Sequence, residues 1–344
     1  MATIYEIAKL AGVSPTTVSY VINGTKKLRP ETVKKVNEAI EKLQYSPNTV
    51  AQTLRKGKTT TIGVITEDIR IFPTPEILNG ISEGLEKAKY QMLVHDLHLY
   101  EKIWPDYDNI VKYKNKINKG VNLLQQSMVT GIIYVSMHDR KLGKLINKID
   151  LPIVYAYSYP SEDNSYVTYD DYTSAKSMVE YLISLGHKNI GIICGYKDSF
   201  PTQTRLQGVL KALEEHNITI PEEYITYGDW EFKSGYEKAN YLLALKKRPT
   251  AIFALNDIMA SGCYSAITKA NLRIPEDISV AGFDNRDVSR YLEPPLTTMG
   301  LPLKELGNEA VNMLFEKINS KKDVPLYTVL PCNIHIREST ATIK

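Results

Sequence analysis

The sequence predicts a small all-α head of the helix-turn-helix type, followed by an α/β core of two doubly wound lobes. Three observations support this fold class. Two short helical patterns separated by a glycine open the chain, and the net charge changes sign near residue 60. Beyond residue 60, apolar strand-like runs alternate with helical patterns, which is typical of the βαβ units that build parallel sheets.

The two opening helical patterns lie within residues 4–22. The first places apolar side chains at helical spacing, namely Ile4, Ile7, Ala8 and Ala11. Gly12 then breaks the helix, because glycine readily adopts the positive φ of a tight turn. Ser14 is a favourable N-cap and Pro15 a favourable first helical residue. A second apolar stripe follows at Val18, Val21 and Ile22, so the pair predicts a helix-turn-helix.

An ordinary αα-hairpin inside an all-helical core is the structural alternative for this segment. It is disfavoured because basic residues follow the second helix, and because the outward face of that helix is rich in hydroxyls, at Thr16, Thr17, Ser19 and Tyr20. A third helical pattern over 29–43 carries one apolar face, at Val33, Val36, Ile40 and Leu43. That face would close a three-helix core.

The segment between the head and the core predicts a hinge. Residues 45–48 break the third helical pattern, and Asn48 can cap a helix over 49–55 that is too short to be stable alone. Residues 56–60 are predicted to be a linker. Residues 1–60 contain ten Lys or Arg and four Asp or Glu, a net charge of +6, so the remaining residues carry −3 of the total of +3. A basic head on a slightly acidic body favours binding to a phosphate backbone at one end only.

The core sequence alternates predicted strands with predicted helices. The strand-like runs are 61–66, 91–96, 131–136, 153–156, 189–194, 251–254 and 278–283. The main helical patterns between them are 75–89, 172–185, 204–217, 234–245 and 260–270. These are too many βα units for one sheet of usual width, so we expect two sheets in two lobes. Residues 100–119 are polar and lysine-rich, and we expect a surface helix or loop there.

Composition and motifs argue against several classes of protein. The 43% hydrophobic and 24% charged content is that of soluble globular proteins, and no apolar run approaches the roughly 20 residues that span a bilayer. No signal-peptide pattern opens the chain, so we expect a cytoplasmic protein rather than a secreted sugar receptor. Cys194, Cys263 and Cys332 lie far apart and lack C-x-x-C spacing, so we expect no disulfide, metal or cofactor. We find no nucleophile elbow, P-loop, metal-ligand His pair or dinucleotide-binding turn, and therefore expect no enzyme.

Several motifs together resemble the lac/purine repressor (LacI/GalR) family of bacterial transcription regulators. They are residues 3–24, 45–48 and 50–54 in the head and hinge, and 187–191, 205–208, 254–257, 274–284, 295–298 and 336–339 in the core. The match runs in order along essentially the whole chain. It implies a DNA-binding head at 1–47, a hinge helix and linker at 48–60, and a core at 61–344 that is similar to periplasmic sugar-binding proteins.

In such a core the chain crosses between the two lobes three times. By resemblance, the crossings would lie near Tyr157, Tyr291 and Lys321. The first lobe would then comprise 61–157 and 292–321, and the second lobe 158–291 and 322–340. The family binds DNA as a dimer, and some members form tetramers through a C-terminal leucine heptad tail. This sequence shows no such tail, so we expect a homodimer.

The resemblance places the N-terminal residues of the second helix at base edges in the major groove. The base-reading positions correspond to Pro15, Thr16 and Tyr20, and Leu54 matches a leucine that family members wedge into the minor groove, where such wedges kink the duplex. Tyr20 departs from the Arg or His of many members, and tyrosine cannot make the bidentate pair that arginine makes with guanine. Contacts to the DNA backbone are expected from Tyr5, Thr17, Ser19, Asn23, Lys26 and Arg29.

The resemblance also places an effector site in the cleft between the lobes, at the carboxyl ends of the strands. Family positions correspond to Arg205, Trp230, Asn256 and Asp284. On the other lobe we add Thr74, Ser136 and Tyr157, the last of which stands where lac-type members have an aspartate. A mixture of Asp, Arg, Asn and Trp suits a polyol ring, so a sugar or sugar derivative is the expected effector.

Two other effectors remain open. Tyrosine-rich walls would also hold a purine, and the family has purine-binding members. In one branch of the family a phosphorylated carrier protein docks on the core instead, although the near-neutral body shows no strong docking patch. The expected function is a repressor of carbohydrate-use genes that binds a near-palindromic operator as a dimer and is controlled by a small sugar-like effector.

Overall fold

The computed structural model describes residues 2–45, 59–160, 164–320 and 326–343. The chain forms two compact units, Met1–Thr59 and Thr60–Lys344. Most of the predicted hinge segment, including Leu54, lies outside the described residues. Among the helices that the structure describes, none is long and apolar enough to cross a membrane.

The predicted helix-turn-helix is confirmed in the first unit. Its helices are α1 (Ile4–Ala11), α2 (Pro15–Asn23) and α3 (Pro30–Lys42). Thr3 and Glu6 form a reciprocal capping box at the start of α1, and Gly12 ends that helix with φ +67°. The Ser14 hydroxyl accepts the Thr17 backbone N–H at 3.1 Å and so begins α2. The three helices enclose a small apolar core of Ile7, Ala8, Ala11, Val18, Val36 and Ala39.

The second unit alternates strands and helices along most of its length. Up to residue 169 its elements are β1 (Thr61–Thr66), α4 (Thr74–Lys87), β2 (Gln91–Asp96), α5 (Tyr100–Ile103), a 3-10 helix (Tyr107–Tyr113), α6 (Lys114–Gln126), β3 (Ile132–Val135), β4 (Lys141–Gly143), β5 (Ile153–Ala156), β6 (Tyr159–Pro160) and β7 (Ser165–Tyr169). The later elements are α7 (Asp171–Ser184), β8 (Ile190–Cys194), α8 (Phe200–Glu215), a 3-10 helix (Glu222–Tyr224), β9 (Ile225–Tyr227), α9 (Phe232–Ala244), β10 (Ala251–Ala254), α10 (Asp257–Lys269), β11 (Ser279–Asp284), α11 (Val288–Tyr291), β12 (Thr297–Gly300), α12 (Leu303–Asn319), β13 (Tyr327–Leu330) and β14 (Asn333–His335).

Two six-stranded sheets divide this unit into two lobes, as the alternating pattern predicts. The first sheet has the order β13-β7-β5-β3-β1-β2, and the second has the order β14-β12-β11-β10-β8-β9. Neighbouring strands are parallel except for the antiparallel pair β12 and β14. The strands are buried apolar runs such as Ile190–Cys194, and helices cover the sheets, as parallel sheets require.

The chain crosses between the lobes later than the resemblance suggested. The strand β7 belongs to the first sheet, so the first crossing follows Tyr169 rather than Tyr157. The strand β12 belongs to the second sheet, so the second crossing follows Gly300 rather than Tyr291. The third crossing lies between β13 and β14 rather than near Lys321, which is itself outside the described residues. The missed strands are short and rich in Ser, Thr and Tyr, so no apolar run marks them in the sequence.

The first lobe depends on a close approach of α4 and α12. A Cβ atom at Gly80 would lie 2.0 Å from the carbonyl oxygen of Lys304, and a Cβ atom at Gly307 would lie 2.2 Å from that of Ile77. Each glycine therefore lets the backbone of its helix touch that of the other.

We expect Gly80→Ala to lower the free energy of unfolding by about 1–3 kcal/mol, because the added methyl group overpacks this contact. Alanine favours a helix over glycine by about 1 kcal/mol, so a loss of stability would have to come from the clash. Chemical denaturation measures the change. The matched control is Asn79→Ala at the preceding, exposed position of α4. A Gly80→Ala variant as stable as this control would contradict the tight packing.

Candidate functional site

A cavity of about 310 Å³ lies between the two lobes. It opens where the strands of both parallel sheets end, the usual ligand position in this architecture. From the first lobe it is lined by Arg70, Ile71, Phe72, Tyr100, Trp104, Tyr107, Met137, His138 and Tyr157. From the second lobe it is lined by Pro201, Arg205, Trp230, Glu231, Asn256, Ile258, Asp284 and Arg286. Five of the seven predicted effector residues are therefore brought together here.

Arg205 lies at the centre of a buried network below the cavity. Its Nε donates to Asp171 at 2.6 Å, and its Nη2 donates to the hydroxyl of Tyr169 at 3.1 Å. Its Nη1 donates to the carbonyl of Leu255 and lies 3.6 Å from Asp284 Oδ1. Burial alone would lower the pKa of Arg205, but Asp171, Tyr169 and Asp284 together raise it, so the guanidinium stays charged. Because α8 carries Arg205 and β7 carries Tyr169, this network joins the two lobes.

Asp284 ends β11 at the edge of the cavity, with a φ of +111°. Burial raises the pKa of its carboxyl to about 6, and the nearby Arg205 and Arg286 oppose that rise. The carboxyl is therefore mostly ionised at neutral pH. Arg205 Nη1 lies 3.6 Å from its Oδ1, and the carboxyl also lines the cavity, where it can accept a hydrogen bond from a ligand N–H or O–H group.

Trp230 forms one wall of the cavity, and its backbone conformation and contacts fix the position of its ring. It has a φ of +72°, and its ring packs against Gly195, where a Cβ atom would lie 2.0 Å from Trp230 Cε2. The Asn256 amide donates to the Trp230 carbonyl at 2.9 Å and accepts the Met259 N–H at 2.8 Å. Asn256 thus lines the cavity but uses its amide to position Trp230 and to cap α10.

Thr74 and Ser136 do not line the cavity, in contrast to the expectation for them. Both are fully buried, Thr74 at the start of α4 and Ser136 just after β3. The residues that enter the cavity from these two connections are Phe72 and His138. The sequence locates the strand ends correctly but does not show which side chain of the following loop turns inward.

The aromatic wall of the first lobe is the part of the site that sequence reasoning missed. Tyr100, Trp104 and Tyr107 lie in the segment that we expected to be a polar surface helix or loop, yet they line the cavity. Tyr107 stacks on His138 with ring centroids 4.2 Å apart. Burial, together with the charges of Arg140 and Arg205, lowers the pKa of His138 to about 3, so this ring is uncharged. The sequence feature that could have indicated this wall is the number of aromatic residues among the lysines of residues 100–119.

The two lobes touch each other around the cavity through aromatic side chains. The Cζ atom of Arg286 lies 4.3 Å from the centroid of the Phe72 ring. The other pairs and the distances between their ring centroids are Trp104 with Tyr196 (6.0 Å), His138 with Trp230 (6.4 Å) and Tyr159 with Phe200 (4.9 Å). The structure therefore shows a closed cleft. Tyr157 stacks on Tyr169 at 5.3 Å beneath it, in agreement with a wall position for Tyr157.

The described residues of the head place the predicted DNA-contacting side chains on its surface. Tyr5 is 75% exposed, and Thr16, Lys26 and Arg29 are exposed as well. Lys26 lies 5.6 Å from the centroid of the Tyr20 ring, so the two side chains share one surface. The half-buried residues are Pro15, Thr17 and Ser19. The side chain of Asn23 is not among those that the structure describes. Thr17 also hydrogen-bonds Ser14 within the cap of α2. The contacts with DNA stay a prediction.

Comparison with known proteins gives consistent matches to both units. Residues 3–48 match the family described as bacterial regulatory proteins, lacI family, and residues 179–340 match the periplasmic binding protein-like domain. A transcriptional repressor PurR from Pasteurella multocida is 36% identical over 342 residues, which is 98% of each chain. A second PurR repressor, from Histophilus somni, is 35% identical over the whole of both chains.

Among solved structures, the lac repressor dimer bound to operator and the anti-inducer ONPF is similar over 99% of each chain. The TM-score is 0.80 and the sequence identity is 26%. The relatives above exceed 30% identity over nearly the full length, and the structural likeness covers the head and both lobes. The chain therefore belongs to the lacI family of bacterial regulatory proteins and is a DNA-binding transcriptional repressor.

Proposed function

We propose that this repressor binds a near-palindromic operator as a dimer and is controlled by a purine base in the interlobe cleft. The expectation of a sugar effector is not confirmed, and its alternative is better supported. The full-length relatives carry the name PurR, which points to purines. The dimer and the operator are supported by the lac repressor, whose structure was solved as a dimer on its operator.

The observation that carries the purine assignment is the presence of aromatic walls on both lobes. Phe72, Tyr107 and His138 face the cavity from the first lobe, and Trp230 faces it from the second. A planar heteroaromatic ring has two apolar faces and can stack on both walls at once. A sugar ring carries hydroxyls around its edge, and its two faces differ in polarity.

The polar groups of the cleft suit the edge of such a ring. Asp284 accepts hydrogen bonds, whereas Arg70 and Arg286 donate them. A purine presents N–H donors next to nitrogen or oxygen acceptors, so one edge can use both kinds of partner. The cavity volume of about 310 Å³ is at the lower end for ligand sites, which favours a single small bicyclic ring.

The head supports the DNA-binding role through the surface that α2 presents. Thr16 is exposed near the start of this helix, where helix-turn-helix proteins contact base edges. Lys26 and Arg29 are exposed beyond its end, where they would contact phosphates.

We expect hypoxanthine or another free purine base to stabilise the protein against heat. A ligand present at about 100 times its dissociation constant should add about 2.7 kcal/mol to the free energy of unfolding. Thermal unfolding against a panel of purines, pyrimidines and sugars measures this. Binding should also change tryptophan fluorescence, because both tryptophans of the chain, Trp104 and Trp230, line the cavity. Stabilisation by a sugar and by no purine would contradict the proposal.

We expect Asp284→Asn to weaken binding of the purine base by about 10- to 100-fold, because a hydrogen bond to a charged group contributes about 1.5–3 kcal/mol. Fluorescence titration of the two cleft tryptophans measures the dissociation constant. The matched control is Asp287→Asn, three residues further on, where the aspartate is exposed and does not line the cavity. Equal affinity in the two variants would place the ligand elsewhere.

We expect Thr16→Ala to weaken binding to the operator by about 1–3 kcal/mol and to leave non-specific DNA binding unchanged, because Thr16 is assigned to base recognition. Lys26→Ala should instead weaken both kinds of binding and lower the salt dependence by about one released ion. Fluorescence anisotropy on operator and scrambled duplexes at several salt concentrations separates these outcomes. Similar losses on both duplexes for Thr16→Ala would overturn its role in base reading.

A further inference from the structure

Asp139 contributes a carboxyl group to the interior of the first lobe. It lies in the loop between β3 and β4 and is fully buried. Neither of its carboxylate oxygens has a hydrogen-bond partner among the residues that the structure describes. An ionised carboxylate is very costly to bury in this way, whereas a protonated one is neutral and costs much less.

The cations near Asp139 are already paired with other carboxylates. Arg140, the next residue, donates from Nη2 to both oxygens of Glu67, at 2.7 and 2.8 Å. Arg205 donates to Asp171 at 2.6 Å and lies 3.6 Å from Asp284. Each guanidinium therefore shares its charge with other carboxylates and forms no direct hydrogen bond with Asp139.

The charged group of the second lobe that acts most strongly on Asp139 has the same sign. This group is Asp171, at the start of α7, and within the described part of the chain its Oδ2 has no hydrogen-bond partner either. The preceding residue, His138, is uncharged. Three phenols also lie near Asp139, those of Tyr157 just before β6, Tyr159 on β6 and Tyr169 on β7. Burial raises the pKa of all three, so they are neutral.

Burial and Asp171 together raise the pKa of Asp139 well above its usual range, while Arg205 and Arg140 oppose the rise. Asp171 and Arg205 belong to the second lobe, so the charges around Asp139 come in part from the opposite side of the cleft. Opening the contacts between the lobes, such as the Tyr159–Phe200 pair at 4.9 Å, would let water reach the carboxyl.

We infer that Asp139 is a proton-binding site coupled to lobe closure. Its carboxyl holds a proton while the cleft is closed and releases it to water when the lobes separate. Closure therefore takes up about one proton, so the closed state is favoured in acid and loses that advantage as the pH rises. This inference rests on the proposed function only in assigning ligand binding to the same cleft.

The direct test is infrared spectroscopy of the ligand-free full-length chain between pH 6 and 9. The pKa values of Asp257 and Asp284 are raised as well, so the measurement is the difference between the wild-type and variant spectra. At neutral pH the wild type should show a carbonyl stretch of a protonated carboxylic acid that Asp139→Asn lacks. Asp150→Asn, an exposed aspartate of the same lobe, is the control and should keep the band. A neutral-pH spectrum without the band, or a band unchanged in Asp139→Asn, would overturn the inference.

The functional test uses hypoxanthine as the probe and the two cleft tryptophans as the signal. From pH 7 to pH 8, where hypoxanthine stays neutral, the affinity of the wild type should fall by up to about tenfold, whereas Asp139→Asn should bind with a nearly constant affinity. Asp139→Leu provides a second uncharged variant if the amide disturbs folding. Equal pH dependence in the wild type and the folded variants would overturn the inference. If hypoxanthine binds to none of the proteins, the purine proposal fails, and the infrared result still decides the role of Asp139.

Discussion

The rest of the core depends on the interactions of one buried cation, the guanidinium of Arg205. It is carried by α8 of the second lobe, pairs with Asp171 and reaches the Tyr169 hydroxyl of the first lobe. A buried charge of this kind is stable only with its partners in place. Removing one partner therefore lowers the stability of the fold by much more than the intact pair adds to it. The floor of the cleft is thus defined by one cation that several carboxyl groups share.

Charge balance around this cation explains two properties of the cleft. Asp171 and Asp284 compete for the same guanidinium, and the pKa of Asp284 rises to about 6 although a cation is near. Among the described residues Asp139 forms no ion pair of its own, because Arg140 pairs with Glu67. A polar ligand that donates hydrogen bonds to Asp284 fits this surplus of acceptors better than an anionic one. The same surplus accounts for a carboxyl group that keeps its proton.

The aromatic lining gives the cleft its selectivity and its mode of closure. Phe72 and Trp104 of the first lobe contact Arg286 and Tyr196 of the second, so the walls that would hold a ligand also hold the lobes together. A ligand that stacks on both walls would stabilise the closed state by differential binding. In the head, by contrast, three helices enclose a small apolar core and leave the hydroxyl-rich face of α2 at the surface.

The sequence by itself determined the helix-turn-helix, because capping residues such as Thr3 and Ser14 and the glycine at position 12 act within one or two turns of helix. The alternation of strands and helices also determined the two-lobed α/β core, and the resemblance to the family assigned Arg205 and Asp284 to the cleft. Only the tertiary structure decided where the chain crosses between lobes, since a short polar strand joins whichever sheet offers it an edge. It also decided which loop residues enter the cavity, because side-chain direction after a strand depends on packing against the opposite lobe.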